Sequence, residues 1–513
     1  VYEKVRMLYL LHHPEQIRGE DIMMSALAYS SALLLLNGIR LPKVVEGTQE
    51  ILKEEFGVDA TILKLPFTPP AFQARLTPVA KKQYIDRYLP STPISTAVSL
   101  LKGEKGTKEN PFENVYEAVD YIKNMESEAH KKDILLQSIE QQQFFYDPDY
   151  DFFRIIWASP YVSQYKNAYQ PRAFMVNQMA PLPGADPNEV WYSFKPNLFG
   201  HKFLYRGQSD CYEGLPCVPN LYRDRTKNAT RDYIEFIIFS QELELLIRTH
   251  PLVQLFENGF ELLHDIFHIR VNYPGLAQHY YNKSRMLDFS SDLEVMKFFA
   301  TTDYDWKNDR YTPCTEPTRL GVIYCYELQY PWAFQQHDGY ALKTIGKQPF
   351  IRPGSQCGFL LDMDKDVDLK KLPEVTALYF KHDPDISNEI FANSHFGEEY
   401  FADDFLLHAW NDRMKERREK KLISMKTVEY NAKLNGKSIG ETIAKLASIG
   451  ITVDDYVPSF TEEETDMYFQ AVNDGWWDGF CEDIHFYGSE DELYRQAFRE
   501  LPLRQEYSCF FKK

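Results

Sequence analysis

The chain has no cysteine pair at metal-binding or redox spacing, no apolar run long enough for a bilayer and no excess of positive charge. Its seven cysteines are odd in number and never form Cys-x-x-Cys, which argues against a zinc ribbon and fits a reducing compartment. The longest apolar stretch, Met23 to Leu36, is interrupted by serines and ends at Asn37-Gly38, so it predicts a buried helix and not a span. The start shows no basic segment leading into an apolar stretch and cleavage site. A cytoplasmic protein without a membrane partner is therefore expected. A net charge of −18 opposes non-specific attachment to a phosphate backbone, which needs a positive field. The local run Arg223, Arg225, Lys227 and Arg231 reads most simply as a solvated turn and helix start. No P-loop, dinucleotide glycine fingerprint or G-x-S-x-G elbow occurs, so those enzyme classes lose their usual signatures.

What is present is ample apolar and aromatic content, 44% and 15% of the chain, enough for packed cores. A length of 513 residues predicts two or three domains. Residues 1–190 read as mainly helical, with helices over Asp21–Leu36 and Val45–Phe56, a proline-rich loop over Leu65–Pro93 and a helix over Asn114–Gln143. A composition shift at Pro181–Pro187 marks a boundary. Residues 191–390 read as mixed: strands at Lys202–Tyr205, Gly321–Leu328 and Val375–Lys381, helices at Asp232–Arg248 and Leu252–Arg270. Residues 391–513 return to helix and turn acidic. Within them Lys415–Lys421 reads as an exposed face of mixed charge. No internal repeat occurs.

Two motifs imitate metal sites. His264-Asp265-Ile266-Phe267-His268 resembles a zinc-protease helix, but it reads as an ordinary amphipathic one with no third ligand at a suitable spacing. Asp303, Asp305 and Asp309 lack the glycine and glutamate of a calcium loop. No metal is expected.

Three polar segments in one order carry the chemistry. In Tyr205-Arg206-Gly207-Gln208, an arginine fork at a strand end suits phosphate or carboxylate, and the glycine would let a backbone approach closely. Gln208 adds an amide that can read a base or ribose edge. Arg206 reads equally well as a structural partner of Asp288. Downstream, Arg223 is a second anion-binding candidate. The second segment holds Gln278-His279-Tyr280 and Ser284–Ser290, in which Arg285 and Asp288 stand close enough to pair with each other. Ser291-Asp292-Leu293-Glu294 makes a capping box with Ser291 as the cap, leaving Ser290 to point into a site. The third segment is Arg352–Phe359, read as a turn and strand edge bearing Gln356.

These segments resemble the FRG domain, a bacterial family named for its (F/Y)RG start. Gln278, His279, Tyr280, Arg285, Leu287 and Asp288 match its Q-H-Y-G-x-P-T-R-L-L-D-W-T pattern, and Arg352, Gln356 and Gly358 match its R-x-x-x-Q-x-G-x-F, with Phe359 one position before the pattern's phenylalanine. Tyr281 and Lys283 replace the family's glycine and proline. The order of elements is also similar to that of ADP-ribosyltransferases, which place an arginine on a first strand, serines on a second and a catalytic glutamate on a third. That resemblance implies an α+β fold with a central mixed or antiparallel sheet, flanked by helical regions. It implies Arg206, Asp288, Ser290 and Gln356 as catalytic candidates, with Tyr205, Gln208, Arg223, His279, Tyr280 and Arg285 binding. Tyr205 or Tyr280 would stack on a base. Gln356 stands where the glutamate would be and cannot stabilise a developing cation by charge, so Asp288 or Glu327 would have to do so. NAD is the cofactor implied, and a nucleotide-like molecule or nucleic-acid end the partner, as in a toxin or anti-phage effector. The alternative is a binding module that couples the cleft to a protein partner through the helical ends.

Overall fold

The computed structural model describes residues 101, 103–132, 144–146, 155–157, 172–179, 190–198, 201–223, 229–263, 265–280, 283–305, 310–328, 337–486, 491–501 and 503. The helices expected over Asp21–Leu36 and Val45–Phe56, and the proline-rich loop, lie outside these residues. The fold is α+β.

Its centre is a six-stranded antiparallel sheet of β1 (Phe203–Gln208), β2 (Met286–Ser290), β3 (Leu320–Glu327), β4 (Tyr340–Thr344), β5 (Gly358–Met363) and β6 (Val375–Lys381), in the order β4-β5-β2-β1-β3-β6. Alternation along the strands supplies two apolar faces. Phe203 and Tyr205 of β1 face a core shared with Ile323, Cys325, Leu378 and Phe380, whereas Leu204 faces Leu287, Phe289, Tyr324 and Phe359. The first face is covered by α1 (Val115–Lys132) and by α4 (Leu293–Thr301). Between them in the chain come α2 (Ala229–Ile247) and the short α3 (Tyr273–His279).

The sheet is split in the middle. β1 pairs with β3 from Phe203 to Gln208, and β2 pairs with β5 throughout, but β1 and β2 meet only at Tyr205 and Ser290. Beyond that pair the two half-sheets separate.

A second sheet has five strands, in the order Ile484–His485, Phe174–Met179, Trp191–Pro196, Asp265–Ile269 and Phe260–Leu262. Its aromatic core packs Phe174, Phe194, Phe256 and Phe267 against Trp477 and Phe480. Burying rings of this size contributes roughly 2–3 kcal/mol each. The strands on either side of the Pro181–Pro187 stretch pair with each other. At the C-terminal end, Met425–Asn435 and Ile439–Ser448 pack with α2. No helix among the described residues is long and apolar enough to cross a membrane.

Two expected elements are corrected. The helix read over Leu252–Arg270 ends at Asn258, because Gly259 takes φ 87°. The chain then forms a hairpin of Phe260–Leu262 with Asp265–Ile269, so the His-x-x-x-His spacing does not fall on one helical face. The third motif is a five-residue helix, Ile351–Ser355, followed by a turn at Cys357 (φ 46°) and only then by strand β5.

Candidate functional site

A cleft of about 620 Å³ opens where the sheet splits. Both faces of the sheet contribute to it: Arg206 shares the face of Leu204, while Val295, Met296 and Phe299 come from α4 on the opposite face. The cleft therefore runs through the sheet.

Arg206 bridges the split. Its Nη1 donates to the Asp288 carbonyl at 2.9 Å, where no β1–β2 ladder bond continues, and lies 4.0 Å from the Asp288 carboxylate. Its Nε is buried with no hydrogen-bond partner. The reading of this arginine as a structural partner of Asp288 is thus seen, with one of its nitrogens left unbonded. Gly207 has a different task from the one expected. A Cβ there would stand 2.2 Å from the Met296 carbonyl oxygen and 2.6 Å from the Ala300 nitrogen, so the glycine admits helix α4 and not a ligand.

Helix α3 delivers the amide and imidazole. Asn272 caps it by accepting the Gly275 amide at 3.0 Å, and the helix ends as Gln278 and His279 reach the cleft. Gln278 donates to Asp288 and accepts from Ser284. His279 is buried, its Nε2 has no hydrogen-bond partner, and it lies 3.8 Å from Asp288 Oδ1. Burial holds its pKa below the ordinary histidine range, outweighing the pull of Asp288, and Arg352 works in the same direction as burial. Arg352 itself lies over the rings of Tyr280 and Phe401 and donates to the His279 carbonyl at 3.3 Å.

Of the expected site residues, Tyr205, Arg206, Arg223, His279, Asp288, Ser290 and Gln356 all line the cleft. Ser290, however, is not free: its hydroxyl donates to the Gln356 carbonyl at 2.7 Å and accepts the Asp292 amide at 2.9 Å. The helix cap is Asp292, which accepts from the Glu294 amide, and not Ser291. Gln356 is also committed, donating to the Tyr400 carbonyl at 3.0 Å. Stacking by Tyr205 or Tyr280 is corrected. Both rings are buried, Tyr205 in the core under α4 and Tyr280 with its hydroxyl on Asp404. Gln208 lies outside the lining, with its amide oxygen facing Cys217. Arg285 pairs with Asp362 instead of Asp288 and also lies outside it. Glu327 is fully buried on β3, away from the cleft.

Sequence reasoning missed three contributions. Phe299, Tyr304, Tyr311 and Phe401 make an aromatic wall, in which Tyr311 stacks on Phe401 at 4.7 Å. Lys283, which replaces the family proline, adds a cation. Arg418 comes from the run read as a solvated helix face, and nothing local in that run distinguishes it. The lining holds five cations, Arg206, Arg223, Lys283, Arg352 and Arg418, against the single carboxylate of Asp288. Burial and the neighbouring Arg206 lower the pKa of Arg223, as expected where cations are gathered without enough acids. Among the described residues no group of histidine, cysteine or acidic side chains could hold a metal ion.

No curated protein and no solved structure matches the chain. A family model does match residues 201–309, a span that includes Arg206, Arg223, His279 and Asp288 but ends before Arg352, Gln356, Phe401 and Arg418. On that match, with the Tyr-Arg-Gly strand and the Gln-His helix end meeting at one split sheet, the chain carries an FRG domain.

Proposed function

We propose that the cleft binds an anionic, nucleotide-like molecule. Its phosphate lies against Arg206 and Arg223, and its base against Phe299, Tyr304, Tyr311 and Phe401. The observation that carries this is a charge inversion: five cations and one carboxylate line a cleft in a chain of net charge −18. Like charges gathered between low-dielectric walls focus their field on an incoming anion. Arg206 Nε and His279 Nε2 are buried without partners, which costs about 1–3 kcal/mol each until a ligand meets them. A ligand with both phosphate and ring satisfies the charged and the aromatic walls together. A volume of about 620 Å³ suits a molecule of that size.

NAD is the nucleotide with which chemistry is best tested. Cleavage at its ribose would need a negative group beside the developing positive charge, and Asp288 is the lining's one carboxylate, with 44% of its side chain exposed. Ser290 and Gln356 then act as positioning residues, because their side chains are spent on backbone groups. Such turnover would suit a toxin or anti-phage effector.

Titration of the purified chain with NAD, ATP and short RNA is the direct trial. Arg206→Ala should lose at least about tenfold in affinity, the worth of one charge-assisted contact. Release of nicotinamide from NAD that disappears in Asp288→Asn would establish Asp288 as the charged partner. Binding without turnover would make the domain a recognition module whose helical ends report to a protein partner. Failure of all three ligands to bind would refute the proposal.

A further inference from the structure

Arg418 reaches the cleft from the last turn of a continuous helical run that begins at Phe405 and is seated by buried Leu406, Ala409, Trp410 and Met414, although no residue of Lys415–Glu419 itself is buried. That last turn is held by polar contacts. The guanidinium of Arg417 donates to both carboxylate oxygens of Asp454 at 2.8 and 2.9 Å, and to Glu242 at 3.1 and 3.3 Å. Glu242 is 1% exposed and also accepts from the Ser424 amide and hydroxyl and from the Thr427 hydroxyl. Lys421, just past the helix, donates to Glu235 at 2.7 Å. The face of Arg417 lies 3.9 Å from the ring centre of Tyr456. A helix clamped in this way holds the next residue, Arg418, in a fixed place instead of letting it swing into water.

Arg206 and Arg223 both line the cleft, and Arg206 adds to burial in lowering the pKa of Arg223. Arg418 belongs to a different element, its guanidinium lies 5.9 Å from the Trp410 ring centre, and burial lowers its pKa against the pull of Glu235. We infer that Arg418 holds a second anionic group of the ligand, so that the cleft takes a nucleotide with two or more phosphates in preference to a monophosphate. This rests on the nucleotide-binding cleft proposed above and adds to it a residue from beyond the family match.

The test is calorimetry on the full chain with AMP, ADP and ATP, comparing the unmutated protein with Arg418→Ala and Arg418→Lys. Arg418→Ala should weaken ADP and ATP roughly tenfold while leaving AMP within about twofold, and Arg418→Lys should recover part of the loss. Equal weakening of all three nucleotides, or of none, overturns the assignment of Arg418 and leaves the cleft standing. If the unmutated chain binds none of the three, nor NAD, the nucleotide cleft itself falls and this inference with it. Should Arg418→Ala unfold early, Arg418→Lys decides: ADP and ATP affinities at the AMP level support a phosphate contact that needs the planar fork, and unchanged affinities for all three count against it.

Discussion

Arg206 and Gly207 are neighbours whose side chains answer to opposite faces of the sheet, and their motif joins two unrelated demands. Arg206 ties the half-sheets together and keeps one nitrogen buried without a partner, while Gly207 lets α4 cross the strand at backbone distance. The two are therefore separable by mutation. Gly207→Ala places a methyl group against the Met296 carbonyl and the Ala300 nitrogen, neither of which can rotate away. Stability should fall by about 3 kcal/mol, as for a strained core insertion, measured by denaturant unfolding. A change below about 1 kcal/mol would mean that α4 is free to lift off β1. The same scale separates the tyrosines. Tyr205 lines the cleft but with its ring buried in the core under α4, whereas Tyr280 turns inward after the end of α3 and lies outside the lining.

At the scale of elements, helix Pro251–Asn258 shows how a short segment acquires a pH dependence. Its N-cap is His250, whose Nδ1 accepts the Leu252 amide at 3.3 Å. The ring sits among the edges of Phe350, Phe460 and Tyr468, with centroids 4.6 to 5.1 Å away. Burial pushes its pKa from 6.5 down to about 3. Between those values the unfolded chain carries a proton that the folded one refuses, so stability declines as pH falls below about 6.5 and this contribution levels off near 3. The slope from this residue approaches about 1.4 kcal/mol per pH unit. His250→Asn keeps a capping acceptor and removes the titration. Its unfolding free energy should vary less steeply with pH than that of the unmutated chain, and identical slopes would show that the histidine is not held neutral.

For the whole molecule, the telling property is that five cations and one carboxylate line the cleft of an acidic chain. A chain of net charge −18 repels polyanions at long range, whereas the proposed anion-binding cleft would attract them at short range. Binding of a nucleotide should therefore respond to salt in two ways. Raising ionic strength from about 0.01 M to 0.15 M shortens the screening length from about 30 to about 8 Å, relieving the distant repulsion more than the contact attraction. The association rate should change less with salt than it would for a basic protein, while the dissociation rate rises. Stopped-flow measurement of both rates over this range checks it. An association rate that collapses with salt would mean that the cationic field extends beyond the cleft.

Much of this was legible in the residues themselves. Strand and helix periodicity located β1, β3, β6 and α2 to within a few residues, and the three polar segments led to a common cleft because arginine, glutamine and histidine among small and aromatic residues are seldom core. Only the tertiary structure decided which atoms remain available. Ser290 and Gln356 are of the right chemical type, but packing places backbone groups within their reach, and those bonds use their polar atoms. Arg418 and the aromatic wall have no local signature, since a helix face looks solvated until another part of the chain is laid beside it. The helix expected over the His-Asp-Ile-Phe-His stretch became a hairpin because Gly259 turns the chain at positive φ and a neighbouring strand, Trp191–Pro196, offers pairing that no helix could use. Local preference is weak, about 1 kcal/mol per residue, and long-range pairing overrides it.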